Sequence, residues 1–362
     1  MTLAAVLVLV ASTAWSGEDL RSLEADFKAT CQKMVGAKLK GTTEDVIGKE
    51  GWVVLTTELN YAACGPFWGE GGLKANPKTA PEAADPLPAI LDFNKQLAAR
   101  GITLIFMPVP TRIVVYPEAI LGKERLATFK TVPYLNSPEH DFFQILRKQG
   151  VRVVELTPVF LANRHDPHAP LFIPSESHWT NGGIALATAE LAKLIKVMPF
   201  YHSVPKHEFV VNWQEKEHFG HIYKDIREKA GLPERPKDRV WVRSCMLKTP
   251  GGAQKLEWRN ADSPVVVIGD SNIIWWRDQE GALFHQLAAD LGFPVDNLAT
   301  TGGGATNTRL NFIRTALSEP NYLKGKKVVV WCFTSRSFYN SHDGWRLVPM
   351  DKVPEPEPTP GS

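Results

Sequence analysis

The run Val265-Val266-Val267-Ile268, closed by Gly269, constrains the fold more than any other stretch of the chain. Four apolar, β-branched residues with no polar alternation make a strand that must be covered on both faces. A central strand of a parallel sheet meets that need, and a sheet open to water on one side does not. Similar runs recur at 103–109, 151–156 and 328–333. Between them lie helix-patterned stretches at 88–100, 139–148, 184–196, 282–291 and 309–317. Strands alternating with helices predict an α/β domain, a parallel sheet flanked by helices.

Composition bounds the rest. With 362 residues and 44% apolar content the chain can bury a large core, and a formal charge of +2 gives no signature of polyanion binding, so no nucleic acid partner is expected. Residues 198–259 lose clear periodicity and predict an irregular insertion beside the sheet. At the start, an apolar run over 3–14 precedes Ala14-Trp15-Ser16-Gly17, with small residues at the minus-three and minus-one positions of a cut after Ser16. Residues 1–16 therefore read as a signal peptide or an N-terminal anchor, and the run is too short for a confident span. Residues 351–362 form a Pro-rich tail expected to be extended, which leaves 17–350 as the domain. Of the four cysteines, Cys332 falls inside a strand and reads as a packed thiol, whereas Cys31, Cys64 and Cys245 lie in segments expected to be exposed. Spacing does not set connectivity; Cys31 with Cys245 is the pairing we expect in an oxidising compartment.

Two blocks carry chemistry. Gly269-Asp270-Ser271-Asn272 follows the central strand, so Ser271 would stand at the carboxyl edge of the sheet, where a following helix aims its amides at developing negative charge. Alone, this block is equally a Ser or Asp capping a helix. Glu176-Ser177-His178-Trp179 supplies what a serine hydroxyl lacks, a base and an acid to orient it. At i, i+2 spacing both side chains share one side of an extended segment, and Pro174 disfavours helix there. Alone, His178 could as well stack on Trp179 and cap the next helix; the two blocks together predict a Glu176–His178–Ser271 relay, with Asp166 a conceivable substitute acid. Two histidine pairs, His165 with His168 and His218 with His221, have chelating spacing but no evident third ligand, so no metal and no cofactor are expected. Among eleven tryptophans, Trp68, Trp179, Trp275, Trp276 and Trp331 would suit sugar stacking, although core packing is the commoner role for any one of them.

Several segments resemble the alginate O-acetyltransferase family of the AlgJ and AlgX type. They are Val46-Ile47-Gly48-Lys49-Glu50-Gly51-Trp52, residues 101–110 with Tyr116-Pro117-Glu118, Ser177-His178-Trp179-Thr180-Asn181-Gly182-Gly183, and Gly269-Asp270-Ser271. The resemblance spans roughly residues 44–338 and implies an SGNH-hydrolase-like fold. It implies that Ser271 is the acetylated nucleophile, His178 the general base and Glu176 the orienting acid, where the family usually has aspartate. Gly302-Gly303-Gly304-Ala305 resembles the family's second glycine block. That makes Gly303 a candidate oxyanion donor beside the Ser271 amide, with Asn307 as a further amide. Arg336 stands where the family has an arginine, to hold an anionic sugar or only to cap the sheet. Trp179 and Trp275 complete the substrate-binding set. The implied activity is periplasmic polysaccharide O-acetylation, with the acetyl group delivered by a membrane-bound O-acyltransferase. With only a short tail after Arg336 the chain resembles the AlgJ arrangement more than the AlgX one. A carbohydrate acetyl-esterase on the same triad, or a non-catalytic polysaccharide-binding protein, are the alternatives.

Overall fold

The computed structural model describes residues 17–37, 45–129, 131–166, 169–351 and 353. The leader or anchor expected at 1–16 and the tail from 354 onward lie outside the described residues. Ten strands occur among these residues: β1 (Asp45–Ile47), β2 (Val53–Leu55), β3 (Thr103–Val109), β4 (Arg152–Val153), β5 (Phe209–His218), β6 (Asp238–Thr249), β7 (Gly252–Gln254), β8 (Val265–Gly269), β9 (Asp296–Asn297) and β10 (Val328–Thr334). Five of them form one sheet in the order β4-β3-β10-β8-β9, with every pairing parallel.

The apolar runs are the centre of that sheet. Every residue of β8 and of β10 is buried, and alternate residues feed two different cores. Ile105, Met107, Val265, Val267, Val328 and Val330 point to one side. Leu104, Phe106, Val266, Ile268, Val329, Trp331 and Phe333 point to the other. The helices Gly17–Val35, Asn181–Lys196 and Leu283–Leu291 cover the first side through residues such as Phe27, Leu191 and Leu287. Pro86–Ala98, Ser137–Lys148 and Ala305–Ser318 cover the second through Phe93, Phe142 and Phe312. The strand expected at 151–156 is only β4, because a helix, Leu156–Asn163, begins where the apolar run continues.

Two expectations fail. The insertion is not irregular: β5 pairs with β6 from Phe209 opposite Leu247 to His218 opposite Asp238, β7 adds a third strand, and the helix His221–Ala230 lies between β5 and β6. Residues 211–217 of β5 are all exposed, so the pairing leaves no apolar period to read. The cysteines are the second failure. All four are free, and Cys31 and Cys245 are buried rather than exposed, so the expected bridge between them is not formed. Burial pushes the thiols of Cys31, Cys64 and Cys245 up to about 12. Cys332 is fully buried, as its place in a strand predicts.

The carboxyl ends of β8 and β10 lie in register, Gly269 opposite Cys332. A Cβ on Gly269 would stand 1.6 Å from the Cys332 carbonyl oxygen, so no side chain fits where the chain turns into the nucleophile block. Gly269→Ala must push two core strands apart. We expect it to cost about 2–3 kcal/mol, measured by urea denaturation, and wild-type stability in this variant would refute the packing.

Candidate active site

The turn after β8 is held by Asp270. One of its carboxylate oxygens accepts from the Asn272 backbone N–H and from Asn272 Nδ2, each at 2.9 Å, and the other accepts from the Thr334 N–H at 2.9 Å. This single side chain therefore caps the helix Ser271–Ile274 and ties it to the end of β10. Ser271, half-buried, is the first residue of that helix. Two indoles lock the Ser271 block to the His178 block. Trp179 Nε1 donates to the Asn272 carbonyl at 2.7 Å, and Trp276 Nε1 donates to the Trp179 carbonyl at 2.8 Å.

His178 Nε2 lies 2.8 Å from Ser271 Oγ, and His178 Nδ1 lies 2.8 Å from Glu176 Oε1. The imidazole stacks on Trp275 with centroids 3.9 Å apart and planes 7° from parallel, which fixes its plane. Glu176 is fully buried and richly supplied with donors. Its Oε1 also accepts from the Ser177 N–H at 2.8 Å and the His178 N–H at 3.1 Å, and its Oε2 accepts from the His221 N–H at 3.2 Å with His218 Nε2 at 3.3 Å. His221 Nδ1 is 2.5 Å from Oε1 but lies off the line of a good hydrogen bond. Burial works to raise the Glu176 carboxyl, and the imidazoles of His178, His218 and His221 around it outweigh it, holding the group well below the usual carboxylate range. Burial lowers the His178 imidazole, Glu176 opposes this in part, and the nearby charges of His221 and Arg336 add to the lowering.

Ser271, His178, Glu176 and Trp275 thus come together, whereas Trp179, expected to bind substrate, is fully buried beneath them with its Nε1 held by the Asn272 carbonyl and presents no face to a sugar. Trp276 and Trp331 are core residues, and Trp68 packs half-buried on Phe67 and Phe142. Asp166 is exposed beside Trp213, Trp241 and Ala169; Glu176 takes the place the substitute acid would have filled. The Gly303 N–H, expected as an oxyanion donor, donates instead to the Thr300 carbonyl at 3.1 Å. Asn307 is exposed, and its own N–H is taken at 2.7 Å by Asp343, which also binds the Ala305 and Thr306 amides. Arg336 donates to Thr334 Oγ1 at 3.0 Å, at the end of β10. His165 is exposed, and His168 lies outside the described residues. The pair His218 and His221 does have further ligand-type neighbours. The donor atoms of Glu176, His178 and His221 lie within 4.8 Å of one another, a set able to hold a cation. Its carboxylate arrives from more than forty residues upstream, which is why spacing alone did not find it.

Comparison with known proteins fits this geometry. A family model described as the SGNH hydrolase-like domain of the acetyltransferase AlgX matches residues 46–335. The fold is similar to the O-acetyltransferase domain of Pseudomonas putida AlgJ, at 18% identity and a TM-score of 0.58 over 82% of this chain and 92% of that one. It is also similar to Pseudomonas aeruginosa AlgX, at 19% identity and a TM-score of 0.57 over 81% of this chain and 62% of that one. No curated protein matches the sequence.

Beneath the relay lies an ion pair that the sequence did not signal. Arg112 donates through Nη2 to Glu58 Oε2 at 2.5 Å and through Nε to Glu58 Oε1 at 3.1 Å, with both side chains buried. Burial works to raise the Glu58 carboxyl and Arg112 more than offsets it, so Glu58 is held below the usual range. The same guanidinium donates to the Glu176 carbonyl at 2.7 Å and to the Val53 carbonyl at 3.0 Å. Arg112→Met strands a buried carboxylate and should cost about 3–5 kcal/mol. Glu58→Leu combined with Arg112→Met should recover most of that loss. Thermal unfolding of the two variants decides it, and equal melting temperatures would speak against a paired charge.

Proposed function

Because the chain belongs to the AlgX family of SGNH hydrolase-like acetyltransferases, we propose that it moves an acetyl group through an ester on Ser271 to a hydroxyl of a polysaccharide. The observation that carries this reading is the pair of 2.8 Å contacts on either side of His178. With Nδ1–H donating to an ionised Glu176, the Nε2 lone pair faces the Ser271 hydroxyl. His178 takes the Ser271 proton as Oγ attacks the acetyl carbonyl carbon of a donor ester. The Ser271 N–H, at the start of its helix, faces the oxyanion of the tetrahedral intermediate. The donor oxygen leaves with the proton from His178, and the acetyl group stays on Ser271. A polysaccharide hydroxyl then gives its proton to His178, attacks the same carbonyl carbon and departs acetylated, and His178 returns the proton to Ser271. Glu176 remains ionised throughout and stabilises the imidazolium in both steps.

In this reading an integral-membrane O-acyltransferase supplies the acetyl group, and residues 1–16 direct the chain to the periplasm as a signal or an anchor. Among the described residues no helix is long and apolar enough to cross a membrane. Arg336 and Trp275 are the residues we place at the substrate. The alignment of Ser271 with His178 supports an enzyme over a polysaccharide-binding protein.

Intact-mass spectrometry with an activated acetyl ester tests the proposal. Wild-type protein should gain one acetyl group that passes to an acceptor oligosaccharide, and Ser271→Ala should gain none. If the adduct forms but only free acetate appears, the chain is an esterase. Glu176→Gln keeps the shape but removes the charge that sets the His178 tautomer, and acylation should slow by about 10³-fold. The pH dependence follows from the lowered His178. The base must be neutral, so kcat/KM falls as pH drops through its pKa, and that limb should lie below the ordinary 6.5. A limb above 6.5 on a soluble acetyl ester would contradict the assigned environment.

A further inference from the structure

We propose that His218 and His221 are positioning residues of the relay, reaching in from the insertion to clamp the Glu176 carboxylate in the rotamer that serves His178. The inference rests on the relay reading above. His218 is the last residue of β5 and His221 the first of the helix His221–Ala230. Gly220 between them is pressed so closely on the Glu176 loop that a Cβ there would meet the Ser175 carbonyl oxygen at 2.0 Å. The docking centres on Ser175. The Gly220 N–H donates to Ser175 Oγ at 3.1 Å, the Tyr223 N–H donates to the Ser175 carbonyl at 3.2 Å, and Asp238 of β6 accepts from Ser175 Oγ. So fixed, the segment sets the His221 N–H and His218 Nε2 on Oε2 and His221 Nδ1 beside Oε1, the oxygen that also meets His178 Nδ1.

A glutamate has one more torsion to immobilise than an aspartate, and each uncontrolled rotamer dilutes the arrangement that orients the base. Two imidazoles and an amide from a separate structural unit remove that freedom. They also bear on the proton. The titratable groups around the carboxylate are His178, His218 and His221, with the Arg112 and Arg336 guanidiniums nearby. His221 charge depresses the His178 imidazole. Removing His221 lifts that repulsion and leaves more of the carboxylate charge for His178, and both effects raise His178.

NMR titration of the His178 ring in full-length Ser271→Ala protein reads this without any activity. His221→Ala and His218→Ala should each move the His178 midpoint to higher pH. In the active protein each should lower the acylation rate by about tenfold, with KM for the ester little changed. His221→Asn, which keeps a polar side chain of similar reach, controls for folding through an unchanged melting temperature. The clamp also predicts coupling: Glu176→Asp should cost much less in the His218→Ala/His221→Ala background than in wild type. An unmoved His178 midpoint with additive costs would overturn the inference. Acylation lost to EDTA and restored by zinc would also overturn it, since the histidines would then be ligands. If His178 shifts as expected while Ser271 never acylates, the clamp stands and the transferase reading falls.

Discussion

A carboxylate removed from water must either be neutral or have its lone pairs filled by donors, and the site depends on Glu176 meeting the second condition. Three backbone amides and as many as three imidazoles converge on its two oxygens. Because the group is anionic, the proton on His178 belongs on Nδ1, and Nε2 is left as the acceptor facing Ser271. Were Glu176 neutral, the imidazole could take either tautomer and the serine would have no assured base. The Arg112–Glu58 pair supports the same arrangement from below, since one guanidinium neutralises a buried acid and also grips the Glu176 carbonyl. Breaking such a pair on one side leaves an uncompensated buried charge, so two charges that add little to net stability strongly fix where the loop lies.

The sheet contributes position. Asp270 bridges the ends of two adjacent strands, β8 and β10, and the Ser271 helix cannot shift without breaking that carboxylate's contacts. The indole relay from Trp276 to Trp179 to Asn272 joins this edge to the histidine loop by two hydrogen bonds, each charging no side-chain rotamer freedom because both rings are packed. Ser271 and His178 come from segments about ninety residues apart, and they meet because buried, hydrogen-bonded tryptophans set the spacing between them.

What the sequence made legible follows from which elements are buried. β3, β8 and β10 are buried nearly throughout, and their bounds match the apolar runs within one residue. β5 is exposed along most of its length, so nothing in its side chains marks it as a strand. The helix Gly17–Val35 was missed although Leu23, Phe27 and Cys31 repeat every four residues on its buried face. Reading Cys31 as part of that stripe would have ruled out an exposed thiol. The cluster of Ser271, His178 and Glu176 was legible because local order carries it: Glu176 and His178 two residues apart, Ser271 at a strand end. Glu58, Arg112 and the role of the His218 and His221 pair were not, since their partners are distant in sequence and only the tertiary fold brings them together.

Glu176 stands where the family resemblance leads one to expect aspartate, and the fold accommodates the longer side chain. An extra methylene extends the reach by about 1.5 Å, enough to push an imidazole out of line with a serine if the side chain ran straight. It does not run straight: Oε1 turns back to accept from the amides of Ser177 and His178, the two residues that follow it. Aspartate makes that kind of local turn readily with its shorter arm. In glutamate the curl consumes the added length, so the carboxylate meets Nδ1 at 2.8 Å without moving the strand that presents Ser271. The curl alone would be one conformer among several. The insertion, whose backbone is seated on Ser175, closes off the others.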